Sequence, residues 1–182
     1  IEKKILKKLV NCNRVKDYIL SSGYPIFYRF AGGRYFKVVT NYSNGSSAER
    51  VLYFDKKYAN AIGCILSSNL SFWLYQVYSD NLNWKRSEIE NTPLPPLSNG
   101  TIKQLKELYN LYLKDIEINA NNRQTTNDSS YNVNSFKEYK IGKSKHIIDR
   151  IDDLICPLYG LTQEETEFIK NYEIQYRLSD DE

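Results

Sequence analysis

Pro25-Ile26-Phe27-Tyr28-Arg29-Phe30-Ala31-Gly32-Gly33-Arg34-Tyr35-Phe36-Lys37-Val38-Val39-Thr40-Asn41-Tyr42 is the stretch that decides the fold, because cations and aromatics interleave on two short strands around a glycine turn. Side chains alternate across a strand, so Tyr28, Phe30, Tyr35 and Val39 cannot all share the face that carries Arg29, Arg34 and Lys37. One face packs and the other projects cations. Such a surface suits a nucleic acid, although a half-exposed hairpin with solvated cations fits the same residues.

Working outward, residues 26–31, 34–40 and 50–54 read as strands, with Asn44-Gly45-Ser46-Ser47 as the turn before the last. Upstream, Ile5, Leu9, Val15 and Ile19 stand at near-helical spacing and predict an amphipathic helix over 2–20 that stops at Ser21-Ser22-Gly23. Downstream, Asp55 is placed to cap a helix whose buried stripe is Ala59, Ile62, Ile65 and Leu66. Ser67-Ser68-Asn69 prefers a cap to a helix interior, so a second helix starts there and carries Leu70, Trp73, Leu74 and Val77 inward.

Asn81 to Ile89 reads as an ordered loop, followed by Pro93, Pro95 and Pro96, which forbid a regular helix or central strand. From Thr101 to about Asn119, Ile102, Leu105, Tyr109, Tyr112 and Ile116 form a coiled-coil-like seam on a long helix. Residues 119–135 are rich in Asn, Ser and Thr and read as a flexible insertion. A helix over 143–157 follows, with Ile147, Ile151, Leu154, Ile155 and Leu158 on one face. Gly160 stops it, and the Thr162-Gln163-Glu164-Glu165 capping box opens a last helix bearing Phe168, Ile169 and Tyr172. The fold class is therefore α+β: a small twisted, mostly antiparallel sheet with packed helices and a long C-terminal helical region. The division that follows is an α+β domain over 1–98 and a helical spacer over 99–182, interrupted by an insertion at about 119–140.

At 182 residues the chain is long enough for one substantial core or for one globular domain with a helical appendage, and the second is the expectation. It has no apolar run near the roughly 20 residues of a membrane span and opens on a charged Ile1-Glu2-Lys3-Lys4, so the expectation is a soluble, cytoplasmic protein without a membrane partner. An initial Ile and the absence of Met suggest a piece of a longer polypeptide. Cys12, Cys64 and Cys156 are widely spaced among apolar neighbours, the pattern of buried free thiols, and with His146 the only histidine a zinc site lacks ligands. The same scarcity argues against Cys-His or Ser-His-Asp catalysis. Net charge is only +3, but the cations concentrate on residues 3–16, on the hairpin and at Lys85-Arg86, while Asp180-Asp181-Glu182 ends the chain. A basic half with an acidic tail implies an anionic partner.

Three segments, taken in order, resemble the C-terminal target-recognition region of fused restriction-modification methyltransferases, the type IIG class and related phage-exclusion adenine methyltransferases. The first is Tyr28-Arg29 through Gly32-Gly33-Arg34-Tyr35-Phe36-Lys37. The second is Ile65-Leu66-Ser67-Ser68-Asn69-Leu70-Ser71-Phe72-Trp73, followed by Asn83-Trp84-Lys85-Arg86-Ser87-Glu88-Ile89 and Pro93-Leu94-Pro95. The third is Ile151-Asp152-Asp153-Leu154-Ile155 with Leu158-Tyr159-Gly160-Leu161-Thr162-Gln163-Glu164-Glu165. Ser67 stands where the family often has Asn. The proline-rich exit into a long helix is also similar to the specificity subunits of type I systems.

The resemblance implies a sequence-specific binder of double-stranded DNA whose helices join it to the methyltransferase domain of the same parent protein. The chain itself lacks an Asn/Asp-Pro-Pro-Tyr/Phe methylation motif, a cofactor-binding glycine turn and an Asp…Glu-x-Lys nuclease set, so it is expected to be non-catalytic and to hold no cofactor or metal. S-adenosylmethionine is implied for the parent, with or without a fused endonuclease. Arg suits guanine, Asn suits adenine, and Lys and Ser suit phosphate. The candidate DNA-binding residues are accordingly Arg29, Arg34, Tyr35 and Lys37 on the hairpin, and Asn83, Lys85, Arg86 and Ser87 on the second segment. The alternative is a helical protein-interaction module in which the 102–116 seam docks a partner.

Overall fold

The computed structural model describes residues 1–31, 37–125 and 134–178. The first helix, α1, spans only Glu2–Leu9, burying Ile5 and Leu9 and exposing Lys3, Lys4 and Lys7. The expected helix to residue 20 is replaced by a strand β1 (Asn13–Arg14), a 3-10 turn over Val15–Tyr18 and a strand β2 (Ile19–Leu20). The cause is local capping combined with long-range pairing. Asp17 accepts a hydrogen bond from the Arg14 N–H at 2.7 Å and starts a new turn, while the Val15 N–H donates to the Thr92 carbonyl at 3.1 Å. Branched Val15 and Ile19 serve a strand as well as a helix, so spacing alone cannot separate the two.

Three further strands follow: β3 (Tyr24–Arg29), β4 (Val39–Thr40) and β5 (Glu49–Phe54). The sheet order is β2-β5-β3-β4, antiparallel throughout, with Ile26 opposite Leu52 and Tyr28 opposite both Val39 and Arg50. Alternation places Ile26 and Tyr28 of β3 in the core with Leu52 and Phe54 of β5, and leaves Arg29 in solvent. The second strand of the expected hairpin is confined, among the described residues, to Val39–Thr40; Gly32, Gly33, Arg34, Tyr35 and Phe36 lie outside them.

Asp55 does not cap a helix directly. Its carboxylate accepts the Lys57 N–H at 2.7 Å in a turn, and α2 runs from Ala59 to Leu66 beyond it. The break at Ser67 and Ser68 falls where expected, with Ser68 Oγ accepting the Ser71 N–H at 3.1 Å at the start of α3 (Asn69–Tyr78). Then come a short helix α4 (Arg86–Glu90), a strand β6 (Pro93–Leu94) paired with β1, and the long helix α5 (Asn99–Ile118). Part of the Asn-rich stretch forms an antiparallel ribbon, β7 (Asn121–Thr125) with β8 (Asn134–Glu138). The chain ends in α6 (Lys145–Leu158), α7 (Gln163–Asn171) and α8 (Ile174–Arg177), with the Thr162–Glu165 capping box formed in both directions at 3.2 and 2.8 Å.

The seam of α5 is consumed inside the chain. Ile102, Leu105, Tyr109, Tyr112 and Ile116 are buried, and α5 packs on α2 and α6. The docking face assumed by the protein-interaction alternative is therefore already covered. Close approach depends on Gly63 of α2, where a Cβ would stand 2.8 Å from Cζ and Oη of Tyr109, and the Tyr109 hydroxyl passes over it to donate to the Val39 carbonyl at 3.1 Å. One apolar core runs from Ile5 to Ile169 without a gap near residue 98.

A buried polar junction ties the helices together. Asp152 of α6, fully buried, accepts the backbone N–H groups of Asn69 and Leu70, both at 2.9 Å, and the Asn69 side-chain amide at 2.8 Å. It supplies acceptors that the first turn of α3 lacks. Arg177 of α8 donates to Asn69 Oδ1 at 2.9 Å and lies over the Phe72 ring. Burial pushes the Asp152 carboxyl up to about 6, against the pull of the donors on Asn69 and Leu70.

Two outcomes are expected. Gly63→Ala should cost about 1–3 kcal/mol through overpacking against Tyr109, read as a lower urea midpoint at unchanged m-value. For Asp152, the folded state holds the proton more tightly than the unfolded chain. Its contribution to stability is therefore largest below about pH 4 and declines by roughly 2–3 kcal/mol as pH rises to about 6. The difference in unfolding free energy between wild type and Asp152→Asn, followed over that window, should carry this slope; a constant difference contradicts it.

Candidate nucleic-acid interface

The hairpin and the 81–89 segment, far apart in sequence, meet at the end of β3. The Trp84 N–H donates to the Phe30 carbonyl at 2.8 Å, and Ala31 bridges Asn83 in antiparallel fashion. Trp84 is buried and stands edge-on to Tyr28 and Tyr75, with ring centroids 5.8 and 6.5 Å away. These aromatic contacts and the strand-like bridge hold two cation-bearing segments on one edge of the molecule.

Asp80 organises the second segment. Its carboxylate accepts the Leu82 and Asn83 N–H groups at 3.0 and 3.3 Å and pairs with Lys85 Nζ at 2.7 Å, so the Lys85 ammonium and the two backbone donors hold it well below the usual carboxylate range. Asn81 adopts the left-handed conformation, φ 60°, that closes this turn. Glu88 accepts the Lys85 N–H at 2.9 Å and starts α4, and Arg86 pairs with Glu90 at 2.7 Å one turn on. Lys85, Arg86 and Ser87 are exposed, and Asn83 is half-buried. Ser87 also lines a groove of about 410 Å³ between α1, α3 and α4, together with Leu9, Tyr78 and Asn91.

On the sheet side, Arg29 is exposed and its Nε donates to the Ala31 carbonyl at 2.8 Å. Arg34 and Tyr35 lie outside the described residues. Lys37 corrects the reading of an outward cation: it is 6% exposed, and its Nζ stands 3.7 Å from the centroid of the Tyr75 ring. Strand alternation fails there because Lys37 precedes β4 and is not part of the ladder. Desolvation by burial pulls its pKa down to about 8, with Arg29 pulling the same way and Glu88 opposing.

Sequence reasoning passed over Arg50, whose guanidinium carbon lies 5.2 Å from the Phe30 ring centroid and whose Cα is paired with that of Tyr28. The available signal was a cation at the mouth of the strand read at 50–54; only the register showed that it faces the hairpin. Burial raises the pKa of the Tyr28 hydroxyl, and the positive charges of Arg86 and Arg50 lower it in part. Exposed Arg29, Arg50, Lys85 and Arg86 thus extend from the segments joined at this junction and form its rim, Arg50 on the face of the sheet that carries Tyr28 and Arg29 on the opposite face of β3. Trp84→Ala should cost about 3–5 kcal/mol, the range for emptying a buried aromatic site, and Trp84→Phe distinctly less, both read by chemical denaturation.

No protein-family model matches the chain, and neither the comparison with characterised proteins nor that with solved structures returns a match.

Proposed function

We propose that the chain is a DNA-binding target-recognition domain, non-catalytic in itself, serving a DNA adenine methyltransferase that resides elsewhere in a longer parent and uses S-adenosylmethionine. The observation that carries the reading is the junction of Phe30–Ala31 with Asn83–Trp84, which brings the strand end that bears exposed Arg29 to the segment that bears exposed Lys85 and Arg86. The resemblance of the ordered segments supplies the parent's chemistry. It is the motif at Tyr28–Lys37, joined to that at Asn83–Ile89, that meets DNA in this proposal.

The chemistry of the rim fits a duplex backbone. Arg29 keeps guanidinium N–H groups free of its bond to Ala31, and long cations on a rigid aromatic base reach phosphate at small ordering cost. Lys85 and Arg86 already have carboxylate partners, but surface ion pairs of this exposure contribute little and yield to a phosphate. The acids beside the cations also limit non-specific attraction, so one rim without the rest of a clamp binds weakly, in the range of roughly 10⁻⁴ to 10⁻⁶ M at physiological salt.

The test is the salt dependence of duplex binding by the full chain, followed by fluorescence anisotropy. Wild type should weaken steeply with added salt, and Arg29→Ala combined with Arg86→Ala should reduce the slope of log affinity against log salt by about two phosphate contacts. A slope that the double variant leaves unchanged removes this rim as the DNA surface. Methyl transfer to DNA by the chain alone would contradict its non-catalytic assignment.

A further inference from the structure

Lys37 lies in surroundings unlike those of a lysine kept for packing. It is more than nine-tenths buried, and among the described residues its Nζ has no hydrogen-bond acceptor. Three elements face it. From α3 comes the ring of Tyr75, 3.7 Å away; from α4 comes Glu88, which attracts it; from the end of β3 comes Arg29, which repels it. A ring face returns only part of the hydration that burial removes, and a carboxylate acting at a distance returns little more. The ammonium is therefore poised, and its protonation answers to small changes at its neighbours.

Arg29 is the neighbour that matters, because it belongs to the rim assigned above to DNA. A phosphate on Arg29 cancels part of its repulsion of Lys37 and so favours the protonated amine. Coupling between two binding events is reciprocal, so the proton on Lys37 in turn favours the phosphate. We propose that Lys37 is a proton-linked positioning residue of the DNA surface: its buried ammonium, seated on the Tyr75 ring and acted on by the charges of Arg29 and Glu88, ties duplex affinity to pH. This rests on the DNA-binding reading. The residue acts through Arg29 and through the Tyr75–Trp84 base beneath the rim, without touching the duplex itself.

The direction follows from the ionisation. In the free protein the amine titrates near pH 8, lowered from 10.5 chiefly by burial. On DNA its pKa rises, so affinity is full below about pH 7.5 and falls as pH climbs through the free-protein value. The expected loss between pH 7 and pH 9 is about three- to ten-fold. Without DNA the sign is opposite for folding: the folded state holds this proton more weakly than the unfolded chain, so stability rises as pH moves from about 8 toward 10.5.

The experiment uses the full chain and a short mixed-sequence duplex at low salt, titrated from pH 7 to pH 9. Three proteins are compared: wild type, Lys37→Met, which is of similar length and cannot be protonated, and Lys37→Arg, which stays charged throughout. Wild type should lose affinity three- to ten-fold over the range, while both variants stay flat. A Lys37→Met profile that follows wild type overturns the proposal with the DNA reading intact. No duplex binding by wild type at any pH overturns the DNA reading, and the coupling with it. Chemical denaturation of wild type and Lys37→Met between pH 8 and pH 10 checks the titration independently of DNA. Wild type should gain stability relative to the variant, and parallel curves show that Lys37 does not titrate there.

Discussion

The carboxylate of Asp152 sits where α3 begins, and the arrangement of the helices follows from what that helix terminus requires. A helix start leaves backbone N–H groups without partners, and at Asn69 and Leu70 they are sealed from water by α6 and α8. An internal acceptor is the remedy, and a carboxylate also complements the positive end of the helix dipole. With Asp152 in that place, three hydrogen bonds fix the register of α6 on the first turn of α3. Arg177, over Phe72 and bonded to Asn69, closes the same junction from the C-terminal side.

The far end of α3 carries the consequences. Tyr75 and Tyr78 lie on its last turns, and the Asp80 turn that follows, held to Lys85, leads to Asn83 and Trp84, which join the end of β3. Helices after residue 98 thus set the position of a surface built from residues before it. The C-terminal half is scaffold as much as spacer: Tyr159 donates to the Pro93 carbonyl at 2.8 Å, and Lys8 pairs with Glu165 at 2.6 Å. Segments far apart in the chain meet at Asn69 and Asp152, and others meet at Ala31 and Asn83. Much of the motif chemistry here is devoted to joining segments, with a few cations left at the rim.

Around that rim, charge is balanced by neighbouring acids. Asp80, Glu88 and Glu90 answer Lys85, Arg86 and, through space, Lys37. Such pairing offsets the cations locally, and ion pairs this exposed contribute little to stability. Aromatic packing beneath it, from Tyr28, Trp84 and Tyr75, limits the freedom of the backbone from which the cations extend.

Local chemistry was legible in the sequence wherever a few adjacent residues settle the outcome. Ser68 stops one helix and starts the next, Thr162 and Glu165 form their box, and the 102–116 periodicity marks a long helix with one apolar face, because capping geometry and helical pitch span only a few residues. Interleaved strands and helices were legible for the same reason, and with them the α+β class. What needed the tertiary structure was every choice that local preference leaves balanced. Val15 and Ile19 suit helix and strand alike; Val15, bonded to Thr92, opens a 3-10 turn, and pairing with Phe54 put Ile19 in a strand. The α5 face could have met a partner, and α2, through Gly63, met it first. Lys37 reads as one more surface cation, yet outside the strand ladder its direction depends on the space beside Tyr75. Periodicity shows that a face exists; which surface covers it is decided by long-range packing, whose energy depends on residues far away in the chain.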